Sequence, residues 1–271
     1  MTVTQLKAAK GADRPLVWVT AYDYPFAVQI EAAGVDTILV GDSLGNTALG
    51  HAGTQPVTLD DMVRAARAVA RGAPRTLRVV DLPFLTYTTP ADAVCAARRL
   101  VQDGAADAVK LEGGAHVAPQ IRALTQFGVA VVAHLGYTPQ SASLLGRRVQ
   151  GRGSEAAQRL VDDANAVVEA GAVAVVLEQV PAELGARVTA AVPVPTIGIG
   201  AGSATDGQVL VLTDLLGLTV GRVPKFVRPY AALGEAARDA VARYAADVRA
   251  GTFPAPEHAF HDPEGGAGEG P

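Results

Sequence analysis

The sequence predicts a (β/α)8 barrel, the TIM-barrel class, from three observations. Eight short apolar, β-branched runs recur along its 271 residues, Ala-rich stretches with charges on one side lie between most of them, and each run stops at Gly, Pro or a charged residue. Short buried strands alternating with amphipathic helices signal βα units and a parallel sheet covered on both faces. Such a barrel occupies about 250 residues as one unit, so a single catalytic domain over residues 1–261 is expected.

In order, the predicted strands are Leu16–Thr20, Thr37–Val40, Thr76–Val80, Ala108–Leu111, Val129–Ala133, Ala172–Leu177, Thr196–Ile199 and the fainter Gln208–Leu212. The predicted outer helices are Thr58–Arg71, Pro90–Asp103, His116–Phe127, Ser154–Ala170 and Ala182–Ala191. Their apolar positions recur at helical spacing, which buries one face against a sheet. Gly104 and Gly171 stand where a helix should end before a buried strand, a position that glycine fills cheaply in the left-handed conformation. The βα units share a pattern without a common motif, so no short repeat is present. Residues 262–271 are Gly-, Glu- and Pro-rich with almost nothing to bury, and are expected to be disordered.

Composition excludes several classes of function. A net charge of -4 gives no electrostatic footprint for nucleic acid, and the densest basic run, Arg147, Arg148 and Arg152, reads as a solvated loop or a local anion site. A lone cysteine, Cys95, rules out an internal disulfide. Lys7 and Lys10 precede no apolar signal core, and no window approaches the ~18 apolar residues of a membrane span. Cytoplasmic residence is the resulting expectation.

In βα barrels the reacting groups sit at the C-terminal strand ends. Here those ends deliver Asp23, Asp42 with Ser43, Asp81, Lys110 with Glu112, His134, Glu178 with Gln179, and the segment Gly198–Gly202. Several acids converging on one mouth repel unless a cation or a proton is present. Oxygen ligands without paired Cys or His spacing point to Mg2+ over Zn2+, with Asp42 and Asp81 the first choices. Taken singly, each residue has a plainer reading. Asp42 could cap a helix, Asp81 could start a turn, and Glu112 could be a solvated strand end. His134 could be a hydrogen-bonded wall residue, Glu178 a carboxylate paired to a base, and the Gly-rich run a tight turn instead of a phosphate cradle. Lys110, inside an apolar strand, must point into the barrel or pair with an acid. Glu178 ends the most apolar run, where burial favours a general base.

Motifs extend these readings. Thr20-Ala21-Tyr22-Asp23-Tyr24, Leu39-Val40-Gly41-Asp42-Ser43-Leu44-Gly45, Asp81-Leu82-Pro83-Phe84, Val109-Lys110-Leu111-Glu112-Gly113-Gly114, His134-Leu135-Gly136-Tyr137-Thr138-Pro139-Gln140, Val149-Gln150-Gly151-Arg152 and Ile197-Gly198-Ile199-Gly200-Ala201-Gly202 follow one another along the chain. This ordered set resembles the 3-methyl-2-oxobutanoate (ketopantoate) hydroxymethyltransferase family, from the first strand to Glu257-His258-Ala259-Phe260-His261. The resemblance implies that Asp42, Asp81 and Glu112 surround Mg2+, that Asp42, Ser43, Asp81 and Lys110 contact the oxo acid, and that Glu178 is the proton acceptor. His134 is a supporting candidate and the next base if Glu178 is not the acceptor. The implied reaction takes 3-methyl-2-oxobutanoate, 5,10-methylenetetrahydrofolate and water to 2-dehydropantoate and tetrahydrofolate, a step toward pantothenate and coenzyme A, in a homo-oligomer, a decamer. Leu145-Gly146-Arg147-Arg148, one residue shorter than the family's usual stretch, and His51-Ala52-Gly53-Thr54 depart from the family pattern in mouth loops, where folate contacts are expected. The rivals are a Mg2+-dependent lyase or mutase of the phosphoenolpyruvate mutase/isocitrate lyase type, which lacks its cysteine-bearing loop here, and a non-catalytic metabolite-binding barrel, which would be expected to have lost a carboxylate or Lys110.

Overall fold

A computed structural model describes residues 1–146 and 148–261; Arg147 and the tail expected to be disordered, 262–271, lie outside the described residues. Eight parallel strands close into a barrel in chain order: β1 (Leu16–Thr20), β2 (Thr37–Val40), β3 (Leu77–Asp81), β4 (Ala108–Glu112), β5 (Val131–Gly136), β6 (Ala174–Glu178), β7 (Thr196–Ile199) and β8 (Gly207–Leu210). The faint eighth run does close the ring, with Leu16 opposite Gly207 and Val19 opposite Leu210.

Alternation along each strand sorts side chains into two layers. The inward layer holds Leu16, Trp18, Leu39, Leu77, Val79, Ala108, Val132, Ala174, Val176, Ile197 and Val209. Leu6, on the short helix Val3–Ala8, is fully buried against this layer and plugs the N-terminal end of the barrel. The outward layer, including Val40, Val80, Val109, Leu111, Val175 and Leu177, packs against the surrounding helices. Two of these, Leu59–Gly72 and Pro90–Gln102, start at capping boxes in which Thr58 pairs with Asp61 and Thr89 with Asp92.

Where strand ends differ from the expectation, the difference favours polar residues. β3, β4, β5 and β6 run on to Asp81, Glu112, Gly136 and Glu178, so His134 lies within β5 instead of after it. Hydrophobicity ends each apolar run early, but the ladder continues because the barrel interior receives polar side chains at its top layer. The stretch His116–Phe127 divides into a 3-10 turn, Ala115–Val117, and the helix Ala118–Gln126, whose Pro119 sits in the first turn. Besides short helices of four to six residues, two longer ones were not expected, Tyr24–Ala32 and the 18-residue Leu233–Ala250. The latter contributes no buried residue, and β8 is followed only by the four-residue helix Leu212–Leu215. Val17, on the outer face of β1, is accordingly 48% exposed. No described helix is long and apolar enough to cross a membrane.

Candidate active site

Asp81, Lys110, Glu112 and Glu178 sit an even number of residues beyond inward-facing Val79, Ala108 and Val176, and His134 is two residues beyond Val132. Strand alternation therefore turns all five into the C-terminal mouth. Asp42, just past β2, joins them, and every one except Glu178 is buried.

The contacts decide between the open readings. Asp42 caps no helix: its Oδ2 accepts a hydrogen bond from Gln140 Nε2 at 2.8 Å, and the next helix, Leu44–Thr47, has no side-chain cap. Asp81 starts no turn, because Oδ2 accepts from the Asp42 amide at 3.0 Å while Oδ1 faces Lys110 Nζ at 3.1 Å. Glu112 is not solvated, since Oε2 accepts from the Gln140 amide at 3.0 Å. Lys110 does both things its position allowed, pointing into the barrel and pairing with an acid. Asp23, by contrast, is structural: it is the N-cap of Tyr24–Ala32 and accepts from the Phe26 amide at 2.9 Å.

Lys110 Nζ also lies 3.1 Å from His134 Nδ1. An ammonium can only donate, so Nδ1 accepts, and neutral His134 carries its proton on Nε2, which faces Glu178 Oε2 at 3.4 Å. Burial and the Lys110 charge oppose a second proton on His134, but Glu112 and Glu178 outweigh them and raise its proton affinity. Glu178 keeps 15% of its side chain exposed, so the burial expected from its apolar strand covers Ala174–Leu177 more completely than Glu178 itself. Its backbone is held tightly. Tyr137 donates to the Glu178 carbonyl at 2.8 Å, and a Cβ on Gly136 would meet that carbonyl at 2.2 Å, so only glycine fits beside it. Gln179 follows at φ 47, a left-handed conformation that costs roughly 1–3 kcal/mol in a non-glycine residue and is held by amide bonds to Ile199 and from Gln150.

Burial pushes the Asp42 carboxyl well above the usual carboxylate range, and Asp81 and Glu112 push it further. Burial raises Asp81 as well, against the opposing pull of Lys110 and the Asp42 amide. Lys110 stays firmly charged because Asp81, Glu112 and Asp42 overcome its desolvation. Ionised together, the three buried carboxylates would leave two negative charges beyond the one ammonium, a balance that a divalent cation would supply. Among the described residues no three His, Cys, Asp or Glu side chains form a ready-made ligand cluster. Mg2+ needs only one or two protein carboxylates, so Asp42 and Asp81 meet its requirement.

The family model of ketopantoate hydroxymethyltransferase matches residues 1–256. 3-Methyl-2-oxobutanoate hydroxymethyltransferase of Geobacillus thermodenitrificans is 54% identical over 93% of this chain and 91% of its own length. That of Moorella thermoacetica is 53% identical over 96% and 97%. The chain belongs to the ketopantoate hydroxymethyltransferase family. It also shares its fold with solved structures of low identity: phosphonopyruvate hydrolase with oxalate and Mg2+ at TM-score 0.63, with 17% identity over 95% of this chain and 93% of that one, and phosphoenolpyruvate phosphomutase from Streptomyces platensis at 0.62, with 17% identity over 93% and 88%.

The remaining sequence features of this family member fall into place around the mouth. Ser43 Oγ and Tyr22 Oη share a hydrogen bond of 2.9 Å beside Asp42. The Gly-rich run is a packed turn: a Cβ on Gly200 would meet the Phe226 ring at 2.8 Å, and one on Gly202 would meet Ala182 at 2.6 Å. Arg152 lines a cleft of about 340 Å³ with Ser154, Leu184 and Arg187. Sequence reasoning missed Gln140, Tyr87, Tyr22 and Gln55, whose polar atoms join loops from different strands. Gln140 had a signal, as the last residue of the motif that begins at His134.

Proposed function

We propose that this hydroxymethyltransferase joins the methylene carbon of 5,10-methylenetetrahydrofolate to C3 of 3-methyl-2-oxobutanoate, with water, to give 2-dehydropantoate and tetrahydrofolate, using the buried group at the barrel mouth. The observation that carries this reading is the convergence of Asp42, Asp81, Lys110, Glu112, His134 and Glu178 from β2 to β6 into one polar layer above an apolar barrel core. The relatives at 50–54% identity carry this activity in their names, whereas the likeness to mutases and hydrolases at 15–20% identity rests on fold alone.

Asp42 and Asp81 would hold Mg2+, with Glu112 beside it, and the ion would supply a Lewis acid for negative charge developing on the keto oxygen. Lys110 places a fixed positive charge beside Asp81, and with Ser43 it orients the oxo acid's polar end. Glu178 takes the proton from C3. Its exposed carboxylate faces the mouth and its backbone is pinned, so the base can reach substrate without moving. His134 flanks it, with Nε2 at 3.4 Å from Oε2. The C3 carbanion then bonds to the methylene carbon as that carbon's two bonds to folate nitrogen break; water supplies the hydroxyl group, and its remaining proton together with the one taken from C3 restores the two N–H groups of tetrahydrofolate.

Exposed Val17 on the outer face of β1 and the helix Leu233–Ala250, which buries no residue and exposes Val241, Tyr244 and Val248, support a homo-oligomer, and the family resemblance supports a decamer. A coupled assay with both substrates tests the reaction, and light scattering tests the assembly. Full turnover in excess chelator would overturn the metal assignment, and a monomer mass at micromolar concentration would overturn the assembly.

A further inference from the structure

We propose that Gln140 is a positioning residue that locks the Asp42 and Glu112 carboxylates in one relative orientation, with the Tyr87 hydroxyl anchoring its amide. The inference rests on the reading of Asp42 as a Mg2+ ligand.

Gln140 touches no apolar function that would explain its burial; all of its polar atoms are used. It lies 3% exposed on the 3-10 turn Pro139–Ser141, directly beyond β5. Its Nε2 donates to Asp42 Oδ2 at 2.8 Å and to the Leu82 carbonyl at 2.9 Å. Its backbone N–H donates to Glu112 Oε2 at 3.0 Å. Its carbonyl accepts from Gln55 Nε2 at 2.9 Å, and its Oε1 accepts from the Tyr87 hydroxyl. One residue thus ties the ends of β2, β3 and β4 to the loop after β5.

The orientation of this amide follows from its partners. Both hydrogens of Nε2 meet acceptors that have no proton to offer, a carboxylate and a backbone carbonyl. A flipped amide would set its oxygen against both, and would turn its NH2 toward the tyrosine hydroxyl. The two acceptors, Asp42 Oδ2 and the Leu82 carbonyl, select the orientation that grips Asp42, and the Tyr87 hydroxyl, which also accepts from the Glu112 amide at 3.4 Å, donates to Oε1 and holds the amide there. Groups that orient a metal's ligands in this way typically account for about 10–100-fold in metal affinity.

The test is calorimetric titration of Mg2+ into the full-length protein without substrate, for wild type, Gln140→Ala and Tyr87→Phe, alongside deuterium exchange at C3 of 3-methyl-2-oxobutanoate as a function of Mg2+. Gln140→Ala should weaken Mg2+ binding by about 10–100-fold. Tyr87→Phe keeps the ring and removes only the hydroxyl, so it guards against a misfolded alanine variant and should weaken binding in the same direction by less. In both, the Mg2+ concentration for half-maximal exchange should rise by the factor seen in calorimetry, and saturating Mg2+ should restore the rate. A residue with only a packing role would lower the melting temperature without moving the Mg2+ midpoint. Variants that bind Mg2+ as tightly as a Mg2+-binding wild type would overturn this proposal alone. A wild type that binds no Mg2+ would overturn it together with the metal reading of Asp42.

Discussion

The two ends of the barrel use the same side chains in opposite ways. At the C-terminal mouth, carboxylates face one another: Asp81 accepts from the Asp42 amide while both lie buried beside Glu112, and their proton affinities rise. At the N-terminal end each carboxylate faces amides and a base. Asp36, one residue before β2, accepts from the Val17 amide of β1 at 2.9 Å and pairs with Arg14. Asp107, before β4, accepts from the Arg78 amide of β3 at 2.9 Å and binds the same residue's guanidinium. Asp206, before β8, accepts from the Thr196 amide of β7 at 2.8 Å, from Lys10 Nζ at 3.0 Å and from the Gly11 amide at 3.0 Å. Three even-numbered strands thus begin with an acid that caps the preceding strand. The lesson is that one end is satisfied and the other is not: the lower end spends its acids on stability, and the upper end keeps them under repulsion for a ligand to relieve.

The sharpest way to break this contrast is to remove function without touching stability. Glu178→Gln keeps the shape of a largely buried side chain and removes the base, so C3 deuterium exchange with Mg2+ present and folate omitted should fall by roughly 10²–10⁴-fold. Its melting temperature should stay at the wild-type value. Exchange that survives unchanged would move the base to another residue, with His134 next in line.

A smaller effect separates the upper acids from the lower ones through the metal. A ligand at about 100 times its Kd stabilises the fold by roughly 2.7 kcal/mol, so Mg2+ should raise the melting temperature of wild type visibly. Asp42→Asn should abolish that rise. Without Mg2+ the variant should be as stable as wild type or more so, because it removes an acid whose charge is opposed by the Asp81 and Glu112 carboxylates. A marked loss of stability in the metal-free variant would show that Asp42 serves the fold.

Asp206→Ala is the counterpart below. It strips a carboxylate whose side chain is only 7% exposed from two amides and a lysine, and leaving buried donors unpaired costs about 1–3 kcal/mol. Denaturant midpoints should fall accordingly while kcat and KM stay unchanged. A change in KM with stability intact would contradict the division between the two ends.

The sequence made the barrel and the upper acids legible for the same reason: period-2 alternation and burial act within a few residues. Lys110 is the clearest instance, since a lysine between Val109 and Leu111 has nowhere to go but inward, and the ladder places it against Asp81. Asp23 shows the limit, because an acid at a strand end and an acid capping the next helix look alike until the Phe26 amide is seen beneath it. Tyr87 and Gln55, and the role of Gln140 beyond its place in a motif, were illegible for a different reason. Their meaning lies in contacts between loops 53 and 85 residues apart, which no local pattern encodes. Leu233–Ala250 escaped because its few apolar residues, Val241, Tyr244 and Val248, mark no face that this chain itself buries.

The finest test is the dependence of stability on pH, where the two ends should pull in opposite directions. Burial tends to raise Asp206, but the Thr196 amide and Lys10 outweigh it and hold the carboxyl below its ordinary value of about 3.9. A group depressed in the folded state contributes stability above its unfolded value, and that contribution is lost as pH falls through the folded one. Asp42 is raised instead, by burial and by Asp81, so in the metal-free protein its contribution is complete below the unfolded value and is lost as pH rises through the folded one. Denaturant midpoints measured in chelator should therefore respond to the two variants in different windows. Asp206→Asn should flatten the wild-type decline on the acid side of pH 4, so that the gap between the two proteins narrows there. Asp42→Asn should leave the acid limb alone and remove a decline above pH 4, and added Mg2+ should remove the same decline from wild type by giving the upper carboxylates the charge they lack. If both variants altered the same limb, the acids at the two ends would be doing one job, and the distinction between a satisfied end and a waiting one would fail.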